Sequence, residues 1–181
     1  MHNKHIEDEE ADVTVSSRTL ENVDFYIYLG QRISMNTCKE MEIKIRISMG
    51  WQAFSRHSAI LKDKRMPLCL KRQVYNKCVL PVVTYGVQTW NLSKKTLLKL
   101  RTMQRAHERI MLDITWKDRK KKPHGSVREQ TKLRDILYTI SKLKWDWAGH
   151  VARQSDNRWM CCLTHWTQQG HTRNRGRPKT R

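Results

Sequence analysis

Acidic side chains are scarce over most of this sequence. The chain has 36 Lys+Arg against 17 Asp+Glu in 181 residues, a formal net charge of +19. Seven of the acids (Glu7, Asp8, Glu9, Glu10, Asp12, Glu21, Asp24) fall in the first 24 residues, beside only Lys4 and Arg18. The rest therefore holds 34 bases and 10 acids, a net +24. No two aspartates stand together, and the body offers only scattered single carboxylates. That excludes the converging acids with which polymerases and nucleases hold Mg²⁺. P-loop and nucleophile-elbow patterns are missing too. No apolar run approaches the length that crosses a bilayer, and no signal peptide is visible. No stretch reads as a basic amphipathic helix with a clean apolar face, so a membrane is not the expected partner. The five cysteines are odd in number and irregularly placed, and Cys38, Cys69 and Cys78 sit in helix-like contexts where a free thiol acts as a small hydrophobe. A reducing compartment, cytoplasm or nucleus, is expected.

What is present is positive charge. A compact body this basic repels itself unless a polyanion lies against it, so nucleic acid is the expected partner. Length allows one domain or two small ones with a modest core.

Residues 1–12 read as a disordered acidic lead, a solvated run and not a metal site. From Val13 the pattern turns β-prone. Val13 and Val15 alternate with Thr14 and Ser16, a turn follows at Ser16–Thr19, and Val23, Phe25, Ile27 and Leu29 alternate up to Gly30, which predicts a β-hairpin. Over 36–65, Ile43, Ile47, Trp51, Phe54, Ser58 and Leu61 keep helical spacing for longer than Ile43, Ile45, Ile47 and Met49 keep strand alternation. Helix is expected there, capped by Asn36 or Thr37, with Gly50 as a weak point. Met66–Pro67 opens the next helix, on which Leu70, Val74, Cys78 and Pro81 fall on one face, with Pro81 straining or ending it. Ser93 caps a long helix with Leu97, Leu100, Gln104, His107 and Met111 on one face. Arg101, Arg105 and Arg109 form an adjoining basic stripe, which by itself is usually a solvated surface. Lys117–Pro123 is a charged linker, and a last helix is expected over Ser126–Val151.

That helix ends in the most informative stretch, Leu143–Arg153. Trp145 and Trp147 stand two residues apart and cannot share a helical face, so one faces away from the core or sits where the helix gives way at Gly149. Lys144, His150, Arg153 and Arg158 surround them. Rings that stack on bases beside cations that pair with phosphates suit nucleic acid. The plainer reading is a helix end packed on a small core, with cations near its C-terminal carbonyls.

Two tail features complete the inventory. Cys161, Cys162, His165 and His171 invite a zinc reading, but neighbouring cysteines seldom both reach one tetrahedral ion, so free thiols and surface histidines are the plainer account. In Arg173-Asn174-Arg175-Gly176-Arg177-Pro178-Lys179, an extended Arg-Gly-Arg-Pro would let Arg175 and Arg177 lie along an A·T-rich minor groove, like the core of an AT-hook.

Several motifs occur in a telling order. They are Tyr26-Ile27-Tyr28-Leu29-Gly30-Gln31, Met49-Gly50-Trp51-Gln52-Ala53-Phe54, Leu80-Pro81 with Thr84-Tyr85-Gly86 and Thr89-Trp90, and Gln104-Arg105-Ala106 with Glu108-Arg109. Leu143-Lys144-Trp145 through Arg153 and Arg175-Gly176-Arg177-Pro178 close the series. Over about residues 13–181 this order resembles the C-terminal part of the endonuclease–reverse transcriptases of LINE-type, non-LTR retrotransposons. The resemblance implies that Tyr28-Leu29-Gly30 corresponds to a primer-gripping hairpin where palm meets thumb. It further implies thumb and connecting helices over 36–116, and a post-thumb segment around Trp145–Trp159 that helps grip template RNA or target DNA. The family's Tyr-X-Asp-Asp motif, which binds Mg²⁺ in the intact enzyme, precedes that hairpin, as do the fingers and the endonuclease.

The expected architecture is therefore mainly α: an N-terminal β-hairpin (13–35), a helical thumb-like bundle (36–116), a basic linker (117–125), a post-thumb helical segment (126–169) and a basic tail (170–181). The expected function is that of a reverse-transcriptase fragment that is no enzyme alone, contains no cofactor, and binds RNA or an RNA–DNA duplex, with palm and fingers as possible partners in trans. Arg101, Arg105, Arg109, Lys144, Arg153 and Arg158 would make the phosphate contacts, with Trp145 or Trp147 as a stacking face. The alternatives are a transposon relic without activity and a small DNA-binding protein that uses its Arg-Gly-Arg-Pro tail.

Overall fold

In the computed structural model, described residues are 14–15, 18–20, 23–34, 39–115, 117–120, 124–154, 159 and 162. The architecture is mainly α-helical, preceded by short antiparallel strands. Strands β1 (Thr14–Val15) and β2 (Arg18–Thr19) pair with each other, as do β3 (Phe25–Tyr28) and β4 (Gln31–Ser34). The strand ending at Tyr28 thus pairs forward across Leu29–Gly30, not back with Thr14–Val15. Leu29 (φ 47) and Gly30 (φ 73) are both left-handed. That two-residue turn matches the twist of paired strands, so the local hairpin closes at the least entropic cost. Alternation along β3 does not produce a buried face, since all four of its residues are exposed.

Helix α1 (Lys39–Arg56) is followed by the single turn α2 (Ser58–Leu61), the expected long helix being interrupted at His57. The candidate caps Asn36 and Thr37 lie outside the described residues. Gly50 is not a weak point: it is buried, and a Cβ there would lie 2.5 Å from Val83 Cγ2. Its missing side chain lets α1 approach the segment that carries Val83.

Helix α3 (Leu68–Val74) runs through a π turn (Tyr75–Val79) into α4 (Leu80–Thr84). A widened turn of this kind is how a helix passes a proline, here Pro81, without ending. The buried face is Lys71, Tyr75, Val79, Leu80 and Val83, while Leu70 is 44% exposed and Pro81 is exposed, so burial is displaced by one residue from the face of Leu70, Val74, Cys78 and Pro81. A lysine can sit on the core face here because the Lys71 ammonium donates to the Met111 carbonyl at 2.9 Å. Burial pushes its pKa down, partly opposed by Asp63 and Asp113. After α4 the chain extends at Tyr85, turns at Gly86 (φ 70) and makes a 3-10 turn at Val87–Thr89.

Helix α5 (Lys94–Met111) starts as expected, with the Ser93 hydroxyl accepting from the Thr96 amide. Its buried residues include Leu100, Gln104, His107 and Met111. The expected last helix is two helices, α6 (His124–Thr131) and α7 (Ile136–Ala152). They part at Lys132, whose φ is 47, and α7 is capped by the Asp135 carboxylate, which accepts from the Leu137 and Tyr138 amides at 2.7 and 3.1 Å. Gln104 joins α5 to this start: its Oε1 accepts from the Ile136 amide (2.9 Å) and its Nε2 donates to the Arg134 carbonyl (2.7 Å). One side chain thus satisfies an amide that the helix start leaves open and the carbonyl just before the cap. A single core, with Ile43, Phe54, Tyr75, Val83, Leu100 and Ile136 at its centre, unites α1 through α5 with α7.

Candidate nucleic-acid interface

The hairpin turn containing Tyr28, Leu29 and Gly30 is held from below by polar contacts. Arg46 on α1, only 3% exposed, donates to the Gly30 carbonyl at 2.5 Å and to Glu42 Oε1 at 2.7 Å. Its guanidinium carbon lies 4.8 Å from the Tyr85 ring centre, and the Tyr85 hydroxyl donates to the Leu29 carbonyl at 2.9 Å. Glu42 Oε2 accepts the Arg32 amide at 3.2 Å, and the Gln31 amide nitrogen donates to the Gly86 carbonyl at 3.2 Å. Glycine suits this position because its φ of 70 is left-handed, and a Cβ would push the Gln31 amide away from the Gly86 carbonyl. A planar guanidinium serving a carboxylate, a carbonyl and a ring face at once is a role lysine cannot fill. The hairpin is thereby fixed to the helices while its outer residues remain open: Tyr26 is 58%, Ile27 63%, Tyr28 57% and Leu29 73% exposed. A cleft of about 170 Å³ beside it is lined by Gln31, Arg32, Glu42, Thr89, Trp90 and Asn91. Sequence reasoning missed Arg46, Glu42 and Gln31; the i, i+4 spacing of Glu42 and Arg46 was a visible signal, but the partners at Gly30, Gly86 and Thr89 lie 16, 55 and 58 residues away.

The stripe Arg101, Arg105 and Arg109 on α5 is half-buried. Arg105 and Arg109 flank Glu108, whose carboxyl is 1% exposed and faces Arg128 of α6 and Asp135 as well. Burial pushes the Glu108 pKa up, and Arg128, Arg105 and Arg109 pull it partly back. Two of the three stripe arginines therefore also serve an internal carboxylate. Next to it, His107 is fully buried. Its ring stacks on Phe54 at 4.4 Å and 7° and meets the edge of Trp51 at 4.3 Å, and its Nδ1 lies 3.1 Å from the Tyr75 hydroxyl. Burial lowers the His107 pKa to about 4 and raises that of Tyr75, so both are neutral at pH 7. His107, Phe54 and Tyr75 are core, and only Trp51 at the edge of the cluster reaches the surface.

Helix α7 divides the aromatic stretch. Ile136, Ile140 and Val151 are buried, and Trp147 (41% exposed) falls on that stripe, whereas Trp145 is 77% exposed on the opposite side. The helix continues through Gly149 to Ala152, so Trp145 is exposed by facing away and not by a turn. Lys144 points inward, its ammonium donating to the Trp90 carbonyl at 2.5 Å. That bond ties α7 to the loop bordering the cleft. His150 is exposed, with its ring centre 5.8 Å from that of Trp147, and its Nε2 accepts from the Gln154 amide at 3.3 Å. Arg153 is exposed, and its guanidinium folds over Gly149, with Nη1 3.0 Å from the position a Cβ would take. The structure thus places Trp145 on α7 and Arg153 at its C-terminal cap, and uses Lys144 for packing.

Arg158, Arg175, Arg177, Cys161, His165 and His171 lie outside the described residues, so the zinc candidate and the Arg-Gly-Arg-Pro tail receive no structural account. Among the described residues no group of His, Cys, Asp and Glu has the arrangement to hold a metal, and no helix is long and apolar enough to cross a membrane.

Comparison with known proteins places these features in one context. The chain is similar to an uncharacterized transposon-derived protein of Caenorhabditis elegans, with 31% identity over 171 residues that make up 92% of this chain and 60% of the relative. It therefore spans about three-fifths of the length of that relative. No protein-family profile matches the chain, and no solved structure matches it.

Proposed function

We propose that this chain is a transposon-derived nucleic-acid-binding module, the thumb and post-thumb part of a LINE-type, non-LTR reverse transcriptase, and that it performs no polymerisation alone. Its partner is RNA or an RNA–DNA duplex, bound mainly through phosphates.

The observation that carries this reading is the excess of positive charge left once the acids are accounted for. After residue 24 there are 34 bases and 10 acids. Several of those acids are engaged within the fold: Glu40 with Lys95 and Lys99, Glu42 with Arg46, Asp113 with Lys64, and Asp135 with Arg128. Few carboxylates remain to balance Lys142, Arg134 and Arg153, all exposed. A polyanion relieves that repulsion by releasing its own counterions. The transposon-derived relative supports the family assignment, as does the seating of the Tyr28-Leu29-Gly30 turn against the helices. In the intact enzyme Mg²⁺ and the paired aspartates would come from residues outside this stretch.

A filter-binding titration of an RNA–DNA duplex against salt tests the proposal. Binding should weaken with a log–log slope of about −0.9 for each phosphate contacted. A flat slope, or no retention in dilute buffer, rules the proposal out.

A further inference from the structure

The outer face of α7 carries a pattern that packing does not explain. Tyr138, Lys142, Trp145 and Gly149 recur at intervals of four, three and four residues, so they form one stripe along the helix. The stripe runs opposite to the buried Ile136, Ile140 and Val151. Tyr138 is 67% exposed and Trp145 77%, and Lys142 between them is exposed. At the end of the stripe Gly149 leaves room for the Arg153 guanidinium to lie down on the helix surface, one turn beyond Trp145. Two open rings, one cation between them and a second cation folded over Gly149 lie along this face, with the exposed Ser141 and Asp146 at its margins.

We infer that this face is a stacking platform for a single-stranded stretch of nucleic acid. The rings of Tyr138 and Trp145 are separated by seven residues, about 10 Å along the axis, which is about three base steps. Lys142 and Arg153 are placed to meet the phosphates that run beside such bases. A base inside a duplex has its faces covered by its neighbours, so rings standing clear of the surface favour unpaired strands, and they do so without sequence preference. This inference rests on the proposed nucleic-acid binding and adds that α7 distinguishes single strands from duplex.

Fluorescence anisotropy of the full chain with labelled oligo(dT) of twelve nucleotides and with a twelve-base-pair duplex tests it. Trp145→Ala should weaken oligo(dT) binding by about fivefold or more, leave duplex binding within twofold, and be rescued by Trp145→Phe. Lys142→Gln with Arg153→Gln should reduce the salt slope on oligo(dT) by about 1.4. Because these side chains are exposed, circular dichroism melts of the variants should overlay that of the parent. If Trp145→Ala binds oligo(dT) as the parent does, or loses duplex and single strand alike, the platform is refuted while duplex binding itself still stands. Absence of binding to either probe in dilute buffer removes the nucleic-acid reading and the platform with it. Should the face seat a second copy of the chain, sedimentation would show a dimer that Trp145→Ala dissociates without changing oligo(dT) affinity, and the inference fails.

Discussion

The imidazole of His107 lies flat on the ring of Phe54, with centroids 4.4 Å apart and planes 7° from parallel. In that position burial lowers its pKa from 6.5 to about 4. Between those two values the unfolded chain takes up a proton that the folded chain refuses, so stability present above pH 6.5 is lost as pH falls towards 4. The loss is about 3 kcal/mol. Glu108, whose pKa is raised by burial, acts with the opposite sign, because its folded carboxyl takes up a proton at higher pH than its unfolded one. Urea unfolding at pH 7, 6 and 5 should show a slope that His107→Phe flattens. The variant should also be less stable at pH 7, since the Tyr75 hydroxyl loses its partner. An unchanged slope would assign the acid sensitivity elsewhere.

Gly50→Ala offers a contest between two effects of opposite sign. Helix propensity favours alanine by up to about 1 kcal/mol. The new Cβ would meet Val83 Cγ2 at 2.5 Å and the Met103 sulfur at 3.3 Å, and such overpacking costs about 1–3 kcal/mol. A fall in melting temperature of about 2–4 °C for each kcal/mol is expected. A rise would mean that α1 and α4 can separate freely.

Replacing Arg46 should release the hairpin before it unfolds the helices. Arg46→Met leaves Glu42 and the Gly30 carbonyl without their donor, and breaking a buried pair in this way costs about 3–5 kcal/mol. Hydrogen exchange should show amides of 25–34 losing protection while those of α5 keep theirs. Arg46→Lys should fail to restore it, because one ammonium cannot reproduce the planar fork.

Gln104→Glu keeps shape and removes a donor. Its carboxylate can still accept from the Ile136 amide, but it cannot donate to the Arg134 carbonyl. A loss of about 1–3 kcal/mol is expected by chemical denaturation, the cost of an unmade buried hydrogen bond. Gln104→Leu, which abandons both bonds, should be worse. Equal stability of parent and both variants would show that this junction contributes nothing.

Local patterns were legible without coordinates wherever the physics is local. Ser93 caps α5 because its side chain reaches an amide three residues on, and Leu100, Gln104, His107 and Met111 share a face because the helical repeat puts them there. Charge was equally plain, since it depends on composition alone. Trp145 and Trp147 had to part company on any helix; which of them faced water depended on the neighbours of α7. The same periodicity misled over 126–151, where apolar residues recur with no visible gap and yet Lys132 turns left-handed and Asp135 starts a new helix.

Taken alone, the order of residues determined a basic, mainly helical chain with a hairpin at its front and exposed aromatic residues near its end. Tertiary structure decided which polar groups were spent inside. Arg46 bridges to Gly30, Lys71 to Met111, Gln104 to Arg134 and Lys144 to Trp90, across 16 to 54 residues. No window of sequence contains both partners at a recognisable spacing, because the geometry that joins them is created only when the helices pack. The cations left over after those bonds form are the ones that the proposed binding of nucleic acid would use.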